Sequence, residues 1–126
     1  MVNTTVVMML FKIITMMESM NDWGDVEFVP KAGYISLMHG STTVAYFNFR
    51  KKDVKIELVR GIEKLDGTLS KNFFSLNDPE GIASSRSWTW KSGAKGRIYQ
   101  IAMAGNSDID YLHFLIKQKY NALSLG

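Results

Sequence analysis

The residues predict one α+β domain, residues 1–126, in which an antiparallel meander of about four to five strands carries its N- and C-terminal helices on one face. Three observations lead there. An apolar run at helical spacing opens the chain, period-two alternation dominates its middle, and a capped amphipathic segment closes it. The 126 residues are enough for one hydrophobic core, and 46% hydrophobic with 21% charged residues is an ordinary globular mixture.

Residues 4–21 read as the first helix. Val7, Leu10, Phe11, Ile14 and Met17 fall on one face, and Met9, Ile13, Met16 and Met20 lie beside them. Only Thr5, Lys12, Thr15 and Ser19 form a polar strip, so the helix is expected to be buried on both apolar faces, Ile14 included. The flank of Met9, Ile13, Met16 and Met20 has two readings: core packing against the sheet, or contact with a second copy or another protein, since methionine suits adaptable interfaces. Val6 to Met17 is shorter than the roughly 20 apolar residues of a membrane span and carries Lys12. The start also lacks the basic segment and small-residue cleavage site of a secretory leader. The expectation is a cytoplasmic protein with no membrane partner.

Gly24 ends the helix. Strands are expected at Tyr34–Met38, Thr43–Phe49, Val54–Arg60 and Arg97–Met103, with a basic turn of Arg50, Lys51, Lys52 and Asp53 between the second and third. Val54, Ile56 and Leu58 alternate with Lys55 and Glu57, the mark of a half-buried antiparallel strand. Gly61 to Leu76 is irregular, with Phe73, Phe74 and Leu76 expected in the core, and Asp78-Pro79-Glu80-Gly81 is a turn or a short helix start. Ser92 to Gly96 reads as loop. The last helix has Ser107 as N-cap, Asp108 and Asp110 in its first turn, and Ile109, Leu112, Leu115, Ile116 and Leu123 as its apolar stripe.

The order of elements and several landmarks resemble a domain family that occurs alone or at the C-terminal end of bacterial and archaeal proteins, some described as predicted transport proteins and others carrying restriction-endonuclease-like domains. The landmarks are Asp25-Val26-Glu27, Pro30 to Ile35, Tyr46 to Lys52, Val54 to Leu58, Asn77-Asp78-Pro79-Glu80-Gly81, Trp88 with Gly93, and Asp108 to Tyr111 with Leu115, Ile116 and Tyr120. The resemblance implies an α+β fold and the company of nucleases or a nuclease-type partner protein.

The chemistry-bearing residues exclude more than they assign. With no cysteine, disulfides, thiolate metal sites and thiol nucleophiles are ruled out. His39 and His113 have no evident catalytic partner in sequence, so no metal or cofactor is expected. Glu57 is followed by Leu58, Val59 and Arg60, not by the Glu-x-Lys of magnesium nucleases. The expectation is a protein that is not an enzyme, although a shallow site that the sequence hides stays open. Net charge is +3, and its cations cluster. Arg86, Lys91, Lys95 and Arg97 surround Trp88 and Trp90, while Arg50, Lys51, Lys52 and Lys55 form a second cluster at a hairpin tip. Cations neutralise phosphates and indoles stack on unpaired bases, so these residues point to a nucleic-acid-associated binding or accessory module. The competing readings are tryptophans packed over the sheet among solubilising charges, and a protein-interaction or homodimerisation module built on the methionine flank.

Overall fold

The computed structural model describes residues 14–50, 53–64, 66, 68, 73–103 and 108–125, with 124 and 125 by backbone alone. In it helix α1 (14–20) passes through a 3-10 turn (Asn21–Trp23) into six strands and a closing helix: β1 (Val26–Lys31), β2 (Tyr34–His39), β3 (Thr42–Phe49), β4 (Val54–Glu63), β5 (Ser84–Thr89), β6 (Lys95–Met103) and α2 (Ile109–Leu125). The strands form one antiparallel sheet in the order β1-β2-β3-β4-β6-β5. The meander is therefore interrupted once, where β6 inserts between β4 and β5.

The sheet has six strands where about four to five are expected, and the two outside the segments read from the sequence are both edges. β1 contains Pro30, which an edge strand tolerates because one side of its backbone needs no ladder partner. β5 is exposed at every position, so it has no apolar alternation to betray it. β4 also runs three residues past Arg60, through a bulge where Gly61 opposes Arg97.

Alternation divides the sheet cleanly. Leu37, Phe47, Ile56, Leu58 and Ile101 are fully buried and join Met16 and Met20 of α1 and Leu112, Leu115 and Ile116 of α2 in one core. The residues between them turn to the other face, on which no described helix lies. Two expectations about α1 are corrected. Ile14 is 51% exposed, because the core is reached by Met16, Met20 and, in part, Met17. Met16 and Met20 are wholly covered by the chain's own sheet and α2, which leaves them no surface for a second copy; Met9 and Ile13 lie outside the described residues.

Polar contacts fix the loops to this frame. Asp108 caps α2: its carboxylate accepts from the amides of Asp110 and Tyr111 at 3.0 and 3.3 Å. Ser107 lies outside the described residues. The Asp78–Gly81 segment is a turn closed by the Gly81 amide on the Asp78 carbonyl. Asp78 also accepts a short hydrogen bond from the Tyr111 hydroxyl and one from the Ala83 amide at 2.8 Å. Burial pushes the Asp78 carboxyl up, but these hydrogen bonds outweigh it and hold the group below its usual range. Arg60 donates to the Phe74 carbonyl at 3.0 Å and lies over the Tyr99 ring, tying the irregular segment to the sheet. That puts Phe74 and Leu76 against the core as expected. Lys119 near the end of α2 is buried, donates to the Val59 carbonyl at 2.7 Å and has its pKa lowered by desolvation.

Candidate functional site

The open face of the sheet is where the flagged tryptophans lie. Five of the six strands contribute outward residues there. β2 gives Tyr34, β3 gives Tyr46 and Asn48, β4 gives Lys55, Glu57 and Val59, β6 gives Ile98 and Gln100, and β5 gives Arg86 and Trp88. Register brings these sequence-distant side chains together: Tyr46 pairs with Glu57, Asn48 with Lys55, Glu57 with Gln100 and Arg86 with Ile98.

Two adjoining cavities result. The first, about 340 Å³, is walled by Tyr34, Tyr46, Trp88 and Trp90 over a floor of Val59 and Ile98, with Lys91 at its rim. Tyr34 and Tyr46 meet edge to face, 5.9 Å between centroids. Trp88 is 44% exposed, so its ring is accessible from solvent. The second cavity, about 560 Å³, is polar and basic: Arg50, Lys55 and Arg86 line it with Ser84 and Gln100. Both volumes fall within the usual range for ligand sites, roughly 300–1,000 Å³.

Between the cavities runs a hydrogen-bonded row. Asn48 Nδ2 donates to Glu57 Oε1 at 2.5 Å, and Gln100 Nε2 reaches Glu57 Oε2 at 3.4 Å. Glu57 is thus held between two amides on neighbouring strands.

Trp90 is positioned by backbone rather than by a strand. Its amide donates to Ala94 and its carbonyl accepts from Gly93, closing a tight turn in which Gly93 has φ +89°. The indole then lies on Gly96, where even a methyl group would come within 2.4 Å of the ring. The absence of a side chain at Gly96 is what lets the ring line the cavity.

No family model matches the chain, and the search of curated proteins found no match.

The cations named from the sequence are divided by the sheet. Arg50, Arg86 and Lys91 line the open-face cavities together with Trp88 and Trp90. Arg97 pairs with Ser87 and Lys95 with Thr89, positions that alternate with Arg86 and Trp88, so both cations lie on the opposite face. Arg50 is in addition clasped by Asp53 at 2.6 and 2.8 Å, which offsets part of its charge. Lys51 and Lys52 lie outside the described residues. Tyr34, Tyr46, Asn48 and Glu57 belong to the same surface although the sequence does not mark them as its members; only the strand register joins them.

Both histidines are engaged on the helix side. His113 Nε2 accepts from Trp23 Nε1 at 3.0 Å, and burial lowers its pKa, with Lys117 adding to the effect and Asp110 opposing it. His39 Nδ1 lies 3.1 Å from the Asp25 carbonyl. Among the described residues no three of His, Cys, Asp and Glu are placed to share a metal ion, and no helix is long and apolar enough to cross a membrane.

Proposed function

We propose that the protein is a non-catalytic module that binds single-stranded nucleic acid across the open face of its sheet. The observation that carries this reading is the adjacency of the two cavities: an aromatic one for bases beside a basic one for phosphates. Bases stack on Trp88 and on the Tyr34–Tyr46 pair, while Arg86, Lys55 and Lys91 neutralise the backbone. Arg86 and Trp88 are two residues apart on one strand, about 7 Å, so neighbouring phosphate and base can be met by neighbouring side chains. A duplex hides its base faces, so the aromatic wall favours single strands.

The test is fluorescence anisotropy of labelled oligothymidylate and of a duplex of equal length over a salt series. The single strand is expected to bind more tightly. With three to four phosphate contacts, the logarithmic salt slope should be about −2 to −3. Absence of binding, a slope near zero, or preference for duplex would reject the reading.

A further inference from the structure

We infer that the row between the two cavities reads the base, and that the base it selects is guanine; the inference rests on the single-strand reading above. The row is centred on an acceptor. A carboxylate has about four lone-pair positions and no donor, and Glu57 commits one oxygen to Asn48 and the other to Gln100. Two positions are left for a ligand, and the carboxylate lines the aromatic cavity in which a base would stack. The amide nitrogens of both neighbours are turned onto the carboxylate, and Asn48 Nδ2 lies 3.5 Å from the Lys55 carbonyl as well. The row therefore meets a ligand mainly with acceptors, held in place from two strands.

An acceptor pair calls for a donor pair. Guanine carries N1–H and the N2 amino group side by side on its Watson–Crick edge, so both can reach one carboxylate. Adenine and cytosine place a ring-nitrogen acceptor beside their amino group, and thymine flanks its one N–H with two carbonyls. Each of these sets a lone pair against Glu57. In a partly enclosed cavity such a mismatch leaves polar groups unpaired, which is how a hydrogen-bonding site rejects the wrong ligand. The glutamate lies beside cations that hold phosphates, so it is not placed to repel the strand as a whole.

The experiment uses the whole chain and three labelled oligomers of roughly twelve nucleotides, a usual site length: all thymine, thymine with one central guanine, and thymine with one central hypoxanthine, which lacks the N2 amino group. The guanine oligomer should bind roughly ten- to a hundredfold more tightly than all-thymine, the span of one good bidentate base contact. Hypoxanthine should fall between. Glu57→Gln should erase the difference; if that variant does not fold, Glu57→Asp, which withdraws the carboxylate by one methylene, must shrink it. Equal affinity for all three oligomers, or a guanine preference that survives Glu57→Gln, would overturn the inference and leave the strand reading standing. Deoxyguanosine monophosphate competing as tightly as the oligomer would keep the guanine contact and overturn the strand reading. No binding by any oligomer would overturn both.

Discussion

Gly96→Ala is a one-carbon perturbation with two readouts. The added Cβ would sit 2.4 Å from the Gly61 carbonyl oxygen and 2.4 and 2.5 Å from Cζ3 and Cη2 of Trp90, where ordinary contact begins at about 3.4 Å. Each neighbour would have to retreat by about 1 Å. Gly61 is backbone at the β4–β6 bulge and can move only by loosening that pairing; Trp90 can swing outward, but it then leaves the cavity wall. Overpacking of this kind costs about 1–3 kcal/mol. For a domain of 126 residues each kcal/mol is about 4 °C in melting temperature, so the variant should melt roughly 4–12 °C lower. Thermal unfolding followed by circular dichroism gives the first number, and tryptophan emission, shifted to the red as the Trp90 ring becomes wetter, gives the second. Trp90→Ala in the Gly96→Ala background should recover only part of the loss, because the clash with Gly61 persists. A melting temperature within 1–2 °C of the parent with unchanged emission would refute the close packing of Trp90 on Gly96; full rescue by Trp90→Ala would show that the backbone contact does not matter.

Two further outcomes follow from burial and charge. Ile14→Ala should cost under about 1 kcal/mol, as its side chain is half exposed, whereas Met20→Ala should cost about 2–5 kcal/mol; comparable losses in urea denaturation would contradict the described course of α1. His113 is held with a lowered pKa and accepts from Trp23, so its contribution is complete above the ordinary value of about 6.5 and is lost as pH falls from there through the folded value. His113→Gln, which can still offer an acceptor, should flatten stability against pH in that window, and an unchanged profile would show that His113 does not titrate there.

How much could be read in advance follows from where each element lies. β2, β3, β4 and β6 are interior strands with one face in the core, so burial writes alternation into them; Val54, Ile56 and Leu58 are the clearest instance. β1 and β5 are edges, where a proline or a run such as Ser84-Ser85-Arg86-Ser87 is tolerated and leaves no pattern. Ile14 was misplaced because an apolar residue at helical spacing need not face inward when Met16 and Met20 already fill the space above the sheet. At the candidate site, Trp88 and Arg86 were visible as an aromatic among cations. Arg97 and Lys95 are also close to Trp88 in sequence, but strand alternation carries them to the other face. Tyr34, Tyr46, Asn48 and Glu57 meet only through the register of β2, β3 and β4, and register is not a property of any one segment. The signal that could have found them is chemical: outward positions on interior strands that hold tyrosines and amides in place of ordinary solubilising charges.

The chain's three tryptophans give the most direct test of the central claim, because they divide between the faces. Trp88 and Trp90 line the open-face cavity, while Trp23 is bonded to His113 on the helix side. Their indole N–H signals in nitrogen-labelled protein can be followed by NMR as unlabelled oligothymidylate is added. If single strands bind across the open face, the Trp88 and Trp90 signals move or broaden in step with the titration and the Trp23 signal stays where it was. Movement of Trp23 with Trp88 unchanged, or no movement of any of the three at saturating oligomer, would contradict it.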